Sequence, residues 1–333
     1  MTRGDLADGE WELVEPFLPI GERGPYPGRL RDCFDGVMWR FRTGSPWRDV
    51  PERYGPWQTV YQRFHAWALA GTFRALMEAM IAEAAARGQV ELGLVSVDST
   101  VVRAHQDAAG MVVDAELLRE VEKAVDEEKG ILERGKGAGD GGVPAAGDEA
   151  ARAERRRVRR RHRARLRTAA LGRSRGGLSA KIHLSADRRC RPLSFVVTPG
   201  QAADNPRFVA VVEGIRVRGP VGRPRTRPGA VAADKAYSSR ATRLYLRRRR
   251  IKAVIPEKVD QAANRKKKGS RGGRPIGHDA TLYKDRNTVE RCIHKIKAWR
   301  GLATRYDKTP DSYLAGLHLR GAILWLRSLR PTT

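Results

Sequence analysis

Hydrophobic positions recur at helical spacing through residues 8–88. Trp11, Leu13, Val14, Phe17 and Leu18 form a first apolar stripe, and Leu30, Cys33, Phe34, Val37, Met38 and Phe41 form a second over residues 29–42. Thr43-Gly44-Ser45-Pro46 ends that second helix, and Pro51 and Pro56 punctuate the next stretch. A further helix is predicted to start with a cap near Thr59 and to carry Val60, Phe64 and Trp67. Short helices with tight turns predict an all-α unit over residues 1–90. A helix-turn-helix reader of DNA is one such unit, and a bundle that only packs satisfies the same periodicity.

At residue 92 the period changes. Leu92-Gly93-Leu94-Val95-Ser96-Val97-Asp98 reads as a buried strand, and Thr100 to His105 continues extended. Residues 178–184 and 192–197 are two more strands. A helix over about 204–216 opens with Asp204-Asn205-Pro206 as cap and first-turn proline. A strand over 230–234, a helix over about 238–250, a strand over 251–255 and helices over about 285–299 and 310–329 complete the order. The pattern βββ-α-β-α-β-α predicts an α/β domain over 91–333, a mixed sheet flanked by helices. Two segments interrupt it. Residues 107–170 hold an acidic helical piece (114–133), a Gly/Ala-rich stretch (135–147) and an Arg block (152–167), and residues 261–279 read as a basic mobile loop.

Charge narrows the function. The 333 residues carry 65 Lys and Arg against 38 Asp and Glu, a formal net charge of +27. Such a balance points to a polyanion, either nucleic acid or an anionic membrane surface. No apolar run approaches the roughly 18 residues of a spanning helix, and the start shows no signal-peptide block, so nucleic acid is favoured. The three cysteines, Cys33, Cys190 and Cys292, are too few and too widely spaced for a disulfide framework or zinc cluster, which suits a reducing cytoplasm. The Arg block and Lys266–Lys268 are candidate phosphate-contacting arms, with inert solvated loops as the plainer reading.

Three carboxylates stand apart from the polar helix faces. Asp98 and Asp234 each end a short apolar strand, at the sheet edge where sites form. Glu290 lies in the helix from Asn287 to Trp299, among Val289, Ile293 and Ile296. If the three converge they repel one another, and a pair of hard divalent cations resolves that conflict. Two such ions activate an attacking oxygen and stabilise a leaving oxygen in phosphodiester displacement. Caps and salt bridges are the alternative role for all three.

The neighbourhood of Glu290 is more specific. Tyr283, Arg286, Glu290 and Lys297 stand in the pattern Tyr-x2-Arg-x3-Glu-x6-Lys. Arg286 and Glu290 are i,i+4 on one helical face, with Lys297 two turns further along it. This pattern resembles the signature of DDE transposases of bacterial insertion sequences, the insertion-sequence-four group. Val97 to His105, Gly172 to His183, Thr198 to Ala202 and Asp234-Lys235-Ala236-Tyr237 resemble, in order, further segments of that family. Trp11 to Trp67, with Arg42 to Asp49, resembles the helical head of its insertion-sequence-five branch. The resemblance covers nearly the whole chain except about 107–170.

The resemblance implies an RNase H-like catalytic domain behind a helix-turn-helix-like helical domain. It implies Asp98, Asp234 and Glu290 as ligands of Mg2+, two ions with Mn2+ as substitute. It also implies Tyr283, Arg286, Lys297 and Lys235 as DNA contacts. Base reading falls to the helical head, with Arg29, Arg40, Arg48 and Arg63 as candidates. The expected partners are double-stranded DNA, both terminal inverted repeats and target, and a second copy of the chain in a homodimer or larger assembly. The expected place is the bacterial cytoplasm at the nucleoid. A metal-dependent nuclease that cuts without joining and an inactive DNA-binding descendant are the competing readings. His105, His183 and His294 are read as packing residues or phosphate neighbours rather than ligands.

Overall fold

The structure, a computed structural model, describes residues 4–20, 27–111 and 164–329 apart from 175, 274 and 278, together with 155, 158 and 161. The stretches 114–133 and 135–147 and part of the Arg block therefore lie outside the described residues.

Four helices open the chain: α1 (Asp8–Val14), α2 (Leu30–Thr43), α3 (Trp57–Leu69) and α4 (Thr72–Ala86). The stripe expected on α2 is buried, since Phe34 and Phe41 pack edge-on or tilted against Phe64, Trp67 and Phe73. Rings in such arrangements add about 0.5–1.5 kcal/mol per pair beyond area burial. α2 stops at Gly44, whose left-handed φ of 75° lets its N–H close on the Arg40 carbonyl. α3 begins at Trp57, earlier than the Thr59 cap anticipates. Pro56 is the N-cap residue, and its carbonyl takes the Thr59 N–H at 2.9 Å.

The sheet comes next along the chain. Its strands are β1 (Leu94–Ala104), β2 (Gly172–Ser174), β3 (Gly177–Ala186), β4 (Pro192–Pro199), β5 (Ala230–Ala233), β6 (Lys252–Val254) and β7 (Thr304–Arg305). β1 is central. It pairs antiparallel with β3 and parallel with β5, which pairs parallel with β6. β3 pairs antiparallel with both β4 and β2, and β7 adds to the far end of β1. The order β4-β3-β1-β5-β6, three antiparallel strands and then two parallel to the first, is a mixed RNase H-like sheet, as expected from the resemblance. Short β2 and β7 are additions to the predicted order. Two or three residues carry no readable alternation.

Helices α5 (Phe208–Glu213), α6 (Arg240–Arg248), α7 (Val259–Lys267), α8 (Ala280–Lys284), α9 (Asn287–Lys297), α10 (Arg300–Ala303) and α11 (Pro310–Leu326) flank the sheet. Three expectations need correction. The helix over about 204–216 is a 3-10 turn at Asn205–Arg207 and then the shorter α5; Asp204 precedes it without a side-chain capping bond. The basic loop over 261–279 is partly α7, with a 3-10 turn after it at Gly269–Gly272. Gln261, Ala262 and Ala263 lend helix propensity there, and Arg265 bonds back to Glu257 at 3.1 Å. The helix over 285–299 is α8 and then α9, separated at Asp285 and Arg286.

α11 ties the helical head to the sheet, packing on α4 and β4. Gly321 makes that approach possible, because a Cβ there would fall 2.4 Å from Met77 Sδ on α4 and 3.3 Å from Phe195 Cε2 on β4. One hydrophobic cluster runs from Leu6 through α2–α4 and β1–β5 to Leu326. Buried ion pairs cross it. Arg191 and Asp187 are 2.5 Å apart, with the guanidinium 3.7 Å from the Trp325 ring centre. Arg40 and Asp307 are 3.1 Å apart. Among the described residues no helix is long and apolar enough to cross a membrane.

Candidate active site

Asp98 and Asp234 are brought together by register. Val97 pairs with Ala233 across the parallel β1–β5 ladder, so the next residue on each chain is Asp98 or Asp234. Neighbouring strands place such backbones about 5 Å apart. Asp234 is the first residue past β5 and begins the 3-10 turn Lys235–Tyr237.

Glu290 arrives from α9, which packs on β1 and β3 through Val289, Cys292, Ile293 and Ile296. Thr288 Oγ1 lies 3.1 Å from Ser96 Oγ, which pins the first turn of α9 to β1 two residues before Asp98. Arg286, the N-cap residue of α9, then spans the gap. Its Nη1 donates to Asp98 Oδ2 at 3.2 Å, and its Nη2 bonds to Glu290 Oε1. The expected i,i+4 partnership is present, and the same guanidinium also holds Asp98.

The electrostatics agree with convergence. Burial pushes the Asp98 carboxyl above the usual carboxylate range, and the charges of Glu290 and Asp234 add to that rise. The Ser99 N–H, bonded to Asp98 Oδ1 at 2.8 Å, and the Arg286 charge oppose it. Burial alone would lower the Arg286 pKa, but Glu290 and Asp98 outweigh it, and the net shift is upward.

The carboxylate oxygens suit a hard divalent cation. As the side chains stand, no three His, Cys, Asp or Glu groups among the described residues are close enough to hold one ion. Arg286 supplies positive charge between two of the three candidates.

The remaining expected residues divide. Tyr283 lies with its ring centre 5.9 Å from the Arg286 guanidinium. Lys297 Nζ donates to the Val101 carbonyl at 3.1 Å, and burial lowers its pKa. Lys235 is exposed beside Asp234. Arg48 is exposed with its guanidinium 5.7 Å from the Trp57 ring centre, Arg63 is half-buried on α3, and Arg29 is exposed. Arg40 is a correction. It is 4% exposed and neutralises Asp307 inside the core, so it cannot read DNA bases. Its place on the helix points inward, but a charged residue on an apolar stripe is ordinarily assigned to the surface. His105 packs on Tyr306 and lies 3.0 Å from Asp107, His183 is buried against Thr198, and His294 is exposed.

Sequence reasoning misses a neighbouring network. Asp204 Oδ1 accepts from Ser99 Oγ at 2.7 Å and from Lys181 Nζ at 3.0 Å, with His183 Nδ1 at 3.7 Å. Burial would raise the Asp204 pKa, but the bonds from Ser99 and Lys181 outweigh it and lower it. The Tyr237 hydroxyl is buried nearby, and its pKa is raised by burial and then by the charges of Asp204 and Asp98. The available sequence signal is Asp204 itself, whose Asp-Asn-Pro setting reads as a helix cap.

Comparison with known proteins places these features. Residues 91–325 match the family described as Transposase DDE domain, and residues 6–77 match a family of IS4/5 transposases. A protein of Brucella ovis, named as transposase for insertion sequence element IS6501, is 28% identical over 150 residues, covering 45% of this chain and 100% of its own length. An uncharacterized protein of insertion element IS402 from Burkholderia cepacia is 33% identical over 112 residues, 31% of this chain and 76% of its own. An uncharacterized protein of Sinorhizobium fredii is 36% identical over 107 residues, 32% of this chain and 81% of its own. Among solved structures, the Mos1 strand transfer complex aligns over 93% of this chain and 78% of that one at 11% identity, with a TM-score of 0.23, too loose a superposition to define corresponding residues. With a single family spanning residues 91–325, the chain belongs to the DDE transposases of bacterial insertion sequences.

Proposed function

We propose that this protein binds the terminal inverted repeats of its element, hydrolyses a phosphodiester to free a 3′-hydroxyl, and joins that end to target DNA. Asp98, Asp234 and Glu290 are the proposed catalytic residues and the ligands of Mg2+, with Mn2+ as substitute. The observation that carries the reading is the meeting of Asp98 and Glu290 on Arg286, with Asp234 next in register on the adjoining strand. Divalent cations, when bound, supply polarisation of the attacking and leaving oxygens.

The chain's own residues orient and neutralise. Ser99 N–H and Arg286 hold the Asp98 carboxylate in one orientation. Tyr283, Arg286, Lys297 and Lys235 offer an aromatic face and three cations around the carboxylates, suited to flanking phosphates and an unstacked base. The exposed Arg48 and Arg29, with Arg63, belong to the helical head, the proposed reader of the repeats. Two element ends require two active sites, hence at least a homodimer on DNA, acting at the nucleoid in the cytoplasm.

The test is Asp98→Asn. In Mg2+ it abolishes cutting of a repeat-end duplex and joining of a pre-cut end, while affinity for that duplex stays within about twofold. Loss of DNA binding as well would make Asp98 a structural residue and remove the basis of the reading.

A further inference from the structure

A second basic surface lies at the opposite end of the sheet from the carboxylates. Residues 215–229 read Ile-Arg-Val-Arg-Gly-Pro-Val-Gly-Arg-Pro-Arg-Thr-Arg-Pro-Gly. Val217 and Arg225 exchange backbone hydrogen bonds of 3.0 and 2.8 Å, which folds the segment into a hairpin. Its tip is Val221, 91% exposed between Pro220 and Gly222, the latter at φ +90°. Arg216, Arg218, Arg223, Arg225 and Arg227 are all exposed.

The C-terminal end of α6 joins this hairpin. Arg249 donates to the Thr226 carbonyl at 3.1 Å and to Thr226 Oγ1 at 3.4 Å, which brings Arg247, Arg248 and Arg250 alongside. Residues 205–256 contain fourteen Arg and Lys against two carboxylates, Glu213 and Asp234. None of the five hairpin arginines forms an ion pair with a carboxylate among the described residues.

Location separates this surface from the active site. The hairpin leads into the start of β5, whereas Asp234 lies just past its end. The six extended steps from Pro228 to Asp234 span roughly 20 Å, about the width of a duplex. A phosphate held at the carboxylates is therefore not the phosphate that meets the hairpin.

The plain alternative is a solvated charged surface. For Arg247 and Arg248 the negative end of the α6 dipole suffices as a reason. It does not extend to five arginines on one hairpin, whose mutual repulsion no carboxylate among the described residues offsets. Guanidinium groups match phosphates in a planar fork, a two-stranded ribbon fits a DNA groove, and a small apolar tip can sit between its walls.

We propose that the hairpin over 216–227 and the C-terminal end of α6 form a second, sequence-independent contact for duplex DNA. The arginines grip phosphates and Val221 enters a groove. This rests on the reading of the protein as an enzyme acting on DNA and adds a surface that the catalytic residues do not require.

The experiment uses the full chain and a random-sequence 30-base-pair duplex, with binding measured by fluorescence anisotropy from 50 to 200 mM salt. Replacing Arg216, Arg218, Arg223, Arg225 and Arg227 together by Gln is expected to weaken binding at least tenfold at 100 mM salt. It should also make the log–log salt slope shallower by two or more. An unchanged slope and affinity would overturn the proposal. A second measurement uses Val221→Cys carrying a thiol-reactive photocrosslinker, which is directed to that position because Cys33, Cys190 and Cys292 are all buried. Adducts to the duplex support the contact. Adducts confined to the chain's own acidic stretch over 114–133, or no DNA adduct, overturn it. If the unsubstituted protein binds no DNA at all, the proposed function fails; if it binds steeply with salt and the five-fold variant matches it, only this surface fails.

Discussion

Arg286 and Asp98 form an ion pair across 188 positions of sequence, Nη1 to Oδ2 at 3.2 Å, and the same guanidinium bonds to Glu290. A fixed cation thus stands between two proposed ligands of divalent metal. Removing it leaves two carboxylates whose repulsion a divalent cation relieves. Arg286→Gln is therefore expected to raise the affinity of DNA-free protein for Mn2+ by about tenfold, about 1.4 kcal/mol. Electron paramagnetic resonance of free Mn2+ during a titration reads this directly. An equal or lower affinity would show that the pair does not compete with metal.

The Asp204 network should behave as a coupled unit. Lys181 is 12% exposed at its side chain and donates to Asp204 and to the Ala202 carbonyl. Asp204→Ala leaves Ser99 and Lys181 short of an acceptor and is expected to cost about 1–3 kcal/mol. Combining it with Lys181→Met should cost less than the sum of the two single changes. Chemical denaturation of the four proteins measures the coupling, and strict additivity would contradict it.

Arg40 and Asp307 are each 4% exposed at the side chain. Truncating one partner leaves a buried charge uncompensated. Arg40→Ala is thus expected to lose about 3–5 kcal/mol of stability. DNA affinity per folded molecule should be unchanged, and a specific loss of repeat binding at full stability would return Arg40 to the DNA-reading set.

Stability should fall in mild acid. Burial lowers the pKa of His183 and of His318 to about 4. The unfolded chain binds these protons near pH 6.5 and the folded chain does not. Their contribution is complete above pH 6.5 and is lost as pH falls toward 4, about 3 kcal/mol each at most. Asp35 works in the other direction. Burial raises it to about 6, so it favours the folded state as pH falls from 6 to below 4, by about 3 kcal/mol. The sum is a net loss between pH 6.5 and 4. Urea midpoints across that range test it, and His318→Gln should flatten the slope. A midpoint that rises on acidification would refute the assignment.

Much of the molecule is readable from local pattern. The α2 stripe, the strand through Asp98, the small-residue strand ending at Asp234 and the spacing of Tyr283, Arg286, Glu290 and Lys297 all appear where the periodicity places them. Elements of two to four residues, such as β7 and the turn before α5, escape that pattern because they are held by neighbours rather than by their own composition. Asp204 shows the limit most clearly. Asp-Asn-Pro is sound helix-cap chemistry, yet Lys181 and Ser99 compete for that carboxylate and win, because charged and hydroxyl donors from β3 and β1 lie within 3.0 Å of it.

What contiguous residues determined is most of the element order, the mixed α/β class and the choice of Asp98, Asp234 and Glu290 as candidates, since periodicity and spacing are properties of a short stretch of chain. Only the tertiary structure decided that Arg286 serves Asp98 as well as Glu290, that Arg40 belongs to the core, and that Arg249 ties the end of α6 to Thr226 of the 216–227 hairpin. Those facts depend on pairings between residues far apart in sequence, set by strand register and by the packing of α2, α9 and α11. No local pattern encodes such distances.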